Sequence, residues 1–156
     1  MTGRFSYTSH SPEETRGLAA RLGARLTLGD VVALKGELGS GKTEFVHGLA
    51  QGLEVPARAA VASPSFALVH EYPGRVTLIH IDLYRLETLP PELLPDLEDY
   101  LSGPQVTAIE WAERLEGLLP EDYLEVQLSI TGEHERTLTF TPHGPRSRAL
   151  VRKLGE

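Results

Sequence analysis

Leu124, Val126, Leu128 and Ile130 alternate with Glu125, Gln127 and Ser129, and Leu138 and Phe140 alternate with Thr137, Thr139 and Thr141. A period of two on both sides of Thr131-Gly132-Glu133-His134 predicts a β-hairpin with one buried face. The pattern differs near the N-terminus, where Leu18, Leu22 and Leu26 recur every fourth residue. That spacing predicts a helix with one apolar stripe. Its start is marked by Ser11-Pro12-Glu13-Glu14: a Ser at the N-cap, a Pro in the first turn and a Glu placed for a capping box. Arg4 to Tyr7 reads as a short strand before it.

The middle of the chain holds short, continuous apolar runs. Val31-Val32-Ala33-Leu34, Val76 to Leu83 and Val106-Thr107-Ala108-Ile109 suit buried strands. Phe45, Val46, Leu49, Ala50 and Leu53 return to helical spacing, with Gly52 as the expected terminator. Phe66 to Tyr72 reads as a strand, and Pro73-Gly74 as the centre of a type II turn leading back into the strand from Val76. Leu89 to Leu101 carries three prolines and predicts a broken helix. Trp111 to Leu119 and Ser147 to Leu154 read as further helices.

One segment carries chemistry outright. Gly36-Glu37-Leu38-Gly39-Ser40-Gly41-Lys42-Thr43 reads GxxxxGKT, the phosphate-binding P-loop. The glycines let backbone N–H groups converge on an anion. Lys42 can reach terminal phosphates, Thr43 can offer its hydroxyl to Mg²⁺, and the following helix directs its positive end to the same place. The strand before the loop and the helix after it are the context this motif needs.

Such a site also needs an acid at the end of a neighbouring strand. Asp82 and Glu110 each end an apolar run, and either can serve the metal or activate a water. Ser63-Pro64-Ser65 offers hydroxyls that can sense a γ-phosphate, as a switch segment does. Arg85 is a further candidate for stabilising transferred charge. His80 and Asp82 form an H-x-D pair, but no His or Cys cluster accompanies it, so a zinc site is rejected.

Composition narrows the picture. The chain has 156 residues, 40% of them hydrophobic, which suits one domain spanning 1–156. No apolar run is long enough to span a membrane, the N-terminus lacks a signal-peptide pattern, and Cys is absent. A cytoplasmic protein is expected. Fifteen Lys and Arg against 22 Asp and Glu leave a net charge of −7, which argues against a surface that grips nucleic acid directly. Asn is absent, so the Asn-Lys-x-Asp loop that reads guanine cannot exist, and adenine is the expected base.

Four segments together, GELGSGKT, SPSFALVHEY, IHIDLYRL and AIEWAERL, resemble the TsaE family, once called YjeE. These are small P-loop ATPases of threonylcarbamoyl adenosine synthesis in tRNA. The resemblance implies an α/β, P-loop NTPase-like three-layer sandwich: a mixed central sheet with antiparallel hairpins and helices on both faces. It implies Mg²⁺ and ATP or ADP as ligands. Nucleotide contacts then fall on Glu37, Leu38, Gly39, Ser40, Gly41, Lys42, Thr43 and Glu44, with Ser11 and Thr15 near the adenine. Thr43 and Glu110 are the implied Mg²⁺ ligands, Asp82 the catalytic carboxylate, and Ser63, Pro64 and Ser65 the switch-like segment. Ser65 stands where the family usually has Thr, and Ala67 stands where it often has Thr or Ser, which removes a hydroxyl. The implied partners are TsaD-like and TsaB-like proteins, with tRNA engaged only through their complex. Trp111, the single Trp, adjoins Glu110 and serves as a reporter for the site.

Two other functions share the P-loop. A stand-alone small-molecule kinase needs an Arg-rich lid, yet residues 87–103 contain neither Arg nor Lys. A binding module with negligible hydrolysis differs from the ATPase only in turnover.

Overall fold

The run Val31–Leu34 is buried at every position, as a strand covered on both faces must be. It belongs to β2 (Val31–Lys35), near the middle of the sheet. The computed structural model describes residues 3–56, 69–84, 86, 88–115 and 117–155, and the backbone of 61–62. Among these, the other strands are β1 (Phe5–Ser9), β3 (Val61–Ala62), β4 (Val69–Tyr72), β5 (Leu78–Asp82), β6 (Val106–Glu110), β7 (Leu124–Ile130) and β8 (Arg136–Pro142). They form one sheet in the order β1-β8-β7-β2-β6-β5-β4-β3. The β2, β6 and β5 strands run parallel, and β7 also lies parallel to β2. The two flanks are antiparallel: β7-β8-β1 on one side and β5-β4-β3 on the other.

Helices cover both faces. The described α-helices are α1 (Pro12–Gly23), α2 (Lys42–Gly52), α3 (Leu94–Ser102) and α4 (Pro145–Leu154). Val32, Leu34, Ala108, Val126, Leu128 and Phe140 pack with α1, α2 and α4 on one face. Val31, Ala33, Ile79, Ile81 and Ile109 pack with Leu97 and Leu101 of α3 on the other. Odd and even positions of the same strands thus feed two cores, as the pleat requires. The expected three-layer α/β sandwich with a mixed sheet is the architecture found.

Ser11 caps α1 as expected, its Oγ accepting the Glu14 N–H at 3.0 Å, while Glu14 Oε1 reaches back to the His10 N–H at 2.9 Å, one residue before the cap. The segment rich in proline breaks into a 3₁₀ turn (Pro91–Leu93) followed by α3. The C-terminal hairpin and α4 also form within one or two residues of expectation.

Three local expectations are corrected. The helix expected from Trp111 to Leu119 shrinks to a 3₁₀ turn at Ala112–Leu115, because Trp111 (φ +62°) and Gly117 (φ +89°) take left-handed backbone on either side. Pro73-Gly74 does not make a type II turn, since Gly74 is not among the residues with positive φ. Its missing side chain serves a close approach instead: a Cβ there would lie 2.5 Å from the Leu53 carbonyl oxygen. α2 ends at Gly52, but that glycine is not the left-handed residue of the cap. The chain turns at Glu54 (φ +62°), with the Val55 N–H returning to the Ala50 carbonyl at 3.0 Å. Gly52 instead lies where α2 crosses α1, and a Cβ on it would sit 2.2 Å from the Ala20 carbonyl oxygen.

This crossing makes a paired prediction. Gly52→Ala is expected to destabilise the fold by about 1–3 kcal/mol, the usual cost of overpacking. Gly17→Ala, on an exposed α1 position with nothing within 4 Å of the new Cβ, is expected to stabilise it by about 0.5–1 kcal/mol. Urea unfolding of both variants checks the signs, and a stabilised Gly52→Ala would contradict the close crossing.

Candidate nucleotide site

β2 delivers the chain into a loop that glycine alone can follow. Gly39 and Gly41 have φ of +84° and +104°. A Cβ on Gly36 would stand 2.6 Å from the Leu128 carbonyl oxygen. Gly41 is the N-cap of α2 and offers no side-chain acceptor, so the first-turn N–H groups have no side-chain cap. That is the geometry of an anion site. The Ser40 side chain is fully buried beneath the loop and its hydroxyl has no partner among the described residues. It can present only backbone to a ligand.

Lys42 fills the loop with its own ammonium. Nζ donates to the carbonyl oxygens of Gly36 and, at 3.1 Å, Glu37. It also lies 4.1 Å from the centre of the Trp111 ring, a cation–π contact. Burial lowers the Lys42 pKa, while the negative charges of Glu110, Glu113, Asp82 and Glu37 work in the opposite direction.

The two strand-end acids meet at this loop. In the parallel register Asp82 of β5 pairs with Glu110 of β6, which pairs with Leu34 at the end of β2. The buried Glu110 carboxylate faces the Thr43 hydroxyl, with its oxygens 3.4 and 3.5 Å from Oγ1. Asp82 is partly exposed, and its Oδ1 accepts the Tyr84 N–H at 3.0 Å. Lys42, Thr43, Asp82, Tyr84, Glu110 and Trp111 line a single cleft of about 330 Å³, together with Leu38, Gly39, Gly41 and Glu44.

A second cleft of about 180 Å³ opens on the other side of Gly39 and Gly41. Ser11 and Thr15 of the α1 start line it, with Glu44 and with Glu133, His134 and Arg136 from the β7–β8 hairpin. Thr15 is buried and its hydroxyl is bound to Ser9 Oγ at 2.7 Å, so it shapes a wall. Arg136 donates to the Gly39 carbonyl at 3.3 Å and so ties the hairpin to the loop.

Thus the fold brings Ser11, Thr15, Leu38, Gly39, Gly41, Lys42, Thr43, Glu44, Asp82, Glu110 and Trp111 to two adjoining clefts. Glu37 is exposed beside them and lines neither. Ser63, Pro64, Ser65 and Arg85 lie outside the described residues.

Several participants escaped the sequence reading. His80 Nε2 is 2.6 Å from Glu110 Oε2. Arg114 donates to the carbonyls of Leu83, Tyr84 and Leu86, pinning the chain beyond Asp82, and its guanidinium lies 5.2 Å from the Trp111 ring centre. Of these, only His80 left a signal, the H-x-D pair. Arg114 is distant in sequence from the carbonyls it holds, as Arg136 is from Gly39.

The donors near Thr43 are a hydroxyl and carboxylate oxygens, hard ligands of the kind Mg²⁺ takes. Among the described residues no group of three or more His, Cys, Asp or Glu makes a cage of its own. The residues therefore fit a Mg²⁺ completed by phosphate and water oxygens, which is the usual protein-bound arrangement of that ion.

Comparison with known proteins gives the family and the fold. The family described as threonylcarbamoyl adenosine biosynthesis protein TsaE matches residues 9–138. The chain belongs to the TsaE family. The tRNA threonylcarbamoyladenosine biosynthesis protein TsaE of Bacillus subtilis is 39% identical over 152 residues, covering 97% of this chain and 94% of the relative. Its counterpart in Nostoc sp. is 43% identical over 136 residues, covering 83% and 81%. Among solved structures, the crystal structure of Bacillus subtilis YdiB superposes with a TM-score of 0.82 at 33% identity, covering 99% of this chain and 96% of the other. The fold of this TsaE-family chain is therefore that of a solved relative. Among the described residues no helix is long and apolar enough to cross a membrane.

Binding of a nucleotide's phosphates by Lys42 would alter the cation–π contact of its ammonium with Trp111. Trp111 emission is therefore expected to change when ADP binds, and the change is expected to disappear in Lys42→Ala. Unchanged emission of the wild-type protein, with ADP binding shown by equilibrium dialysis, would mean that the lysine stays on the ring.

Proposed function

We propose that this chain is an accessory ATPase of threonylcarbamoyl adenosine formation in tRNA: it binds Mg²⁺ and ATP and hydrolyses ATP slowly. It acts through a complex with TsaD-like and TsaB-like proteins, and engages tRNA only through them. The observation that carries this reading is the meeting of Lys42, Thr43, Asp82 and Glu110 in one cleft beside the uncapped start of α2, in a chain of this family.

The roles follow from placement. Backbone N–H groups from Gly39 to Glu44 cradle the phosphates. Lys42 leaves the Gly36 and Glu37 carbonyls for the terminal phosphates. Thr43 and Glu110 hold the Mg²⁺. When bound, that ion offsets phosphate charge and stabilises the charge developing on the transferred group. Asp82, at the open side of the cleft, orients a water for attack on the γ-phosphate and takes its proton. The adenine occupies the second cleft, walled by Ser11 and Thr15. Ser63, Pro64 and Ser65 respond to the γ-phosphate as a switch.

Slow turnover is part of the proposal. The ammonium lies on its own loop and Asp82 stands at an open cleft, so the described residues do not by themselves form the closed, water-excluded site that fast phosphoryl transfer needs. A partner that closes the cleft supplies what is missing.

The isolated protein is expected to turn over ATP below about 1 s⁻¹, under the usual enzyme range. Asp82→Asn is expected to lower that rate by roughly 10²–10⁴-fold, the span of a lost acid–base group, while ADP affinity stays within a few-fold. Reconstitution with TsaD-like and TsaB-like partners is expected to show an ATP-dependent gain in modified tRNA that Asp82→Asn abolishes. A partner-free transfer of phosphate to a small molecule would sink the proposal.

A further inference from the structure

His80 has no evident structural reason to be where it is. It sits in the centre of β5 between Ile79 and Ile81, is only 8% exposed, and occupies a position where an aliphatic side chain would bury more readily. Its Nδ1 is buried with no hydrogen-bond partner among the described residues. Its one polar contact with a described residue is with Glu110, at 2.6 Å between Nε2 and Oε2. Glu110 is itself only 4% exposed.

The sheet register explains how the two meet. His80 shares a face with Asp82, two residues on. It pairs across the parallel ladder with Ala108, one step before the Asp82–Glu110 pair. Ala108 contributes only a methyl group at that level. From the other side β4 packs two rings against the imidazole: His70, paired with His80 in the antiparallel register, at 6.1 Å between centroids, and Tyr72 at 6.4 Å. The imidazole is therefore held by the sheet before Glu110 is considered.

We infer that His80 is a positioning residue for Glu110. Through Nε2–H it holds Oε2 and selects the Glu110 rotamer that directs the carboxylate to Thr43. The inference rests on the proposed reading of Glu110 as a Mg²⁺ ligand. A Glu side chain has three rotatable bonds, and alone at a strand end it would have to be ordered by the metal itself. A fixed donor on one oxygen removes that ordering from the binding step. Groups that orient metal ligands in this way typically contribute 10–100-fold in metal affinity.

The test is a Mg²⁺ titration of ADP binding, read by Trp111 emission and by calorimetry, for wild type, His80→Leu, His80→Phe, His80→Gln and Glu110→Gln. His80→Leu is expected to raise the Mg²⁺ concentration at the midpoint about 10–100-fold, with Mg²⁺-free ADP binding preserved. His80→Phe keeps a ring without a donor and is expected to match it, so the outcome does not hang on one variant folding. His80→Gln, whose amide reaches about as far as Nε2, is expected to recover much of the loss. If Glu110→Gln shifts the midpoint while His80→Leu and His80→Phe leave it within twofold, the inference is wrong and the metal reading stands. If Glu110→Gln leaves the midpoint unmoved, the metal reading falls and the inference falls with it. An equal loss of Mg²⁺-free ADP binding would also overturn the positioning role, because the effect would then be collapse of the loop.

Discussion

The parallel pairing of β6 with both β2 and β5 brings Leu34, Glu110 and Asp82 side by side along one edge of the sheet. The glycine loop leaves β2 at that edge. In open α/β sheets ligands bind outside the carboxyl ends of parallel strands, where the connecting loops diverge. Here the loop, the first turn of α2 and both acids share that position because their strands end in register. A one-residue slip of β6 would turn Glu110 to the α3 face.

Around that edge the charges are balanced tightly. Lys42 is buried, and four carboxylates in its surroundings oppose the effect of burial. Glu110 is buried as well, with Thr43 and His80 as its neighbours. Buried charges without partners are costly, so each of these groups needs the others. Trp111 completes the arrangement with left-handed backbone, a conformation that costs about 1–3 kcal/mol and concentrates at functional sites. That backbone turns the indole over Lys42, and Arg114 also lies over the ring while holding the segment that follows Asp82.

The antiparallel flanks have separate tasks. The β7–β8 hairpin reaches beyond the sheet to bring Glu133, His134 and Arg136 against the glycine loop and the start of α1. The β4–β5 pair builds the ring cluster behind Glu110. Two clefts that share Gly39, Gly41 and Glu44 are thus served by opposite halves of the sheet. The face where α1 meets α2 is held closer than ordinary side chains would permit, by Gly23, Gly48 and Gly52. It fixes the N-terminus of α1, and with it Ser11 and Thr15, relative to the loop.

Local chemistry made much of this legible from residues alone. The N-cap at Ser11, the strand–loop–helix around Gly36 to Thr43, and the period-two hairpin are set by neighbours within a few positions, so their residues declare them. Asp82 and Glu110 were recognisable because each ends an apolar run. What sequence could not determine was anything settled by pairing between distant strands or by packing between helices. Gly52 and Gly74 look like terminator and turn by type, yet close contact with Ala20 and Leu53 decides their use. Trp111 lies within a helix-compatible stretch, and the site forces it out of helical backbone. His80 read only as half of an H-x-D pair until the fold set its imidazole against Glu110. Motifs report the chemistry a segment can perform. Only the sheet's register decides which side chains are close enough to perform it together.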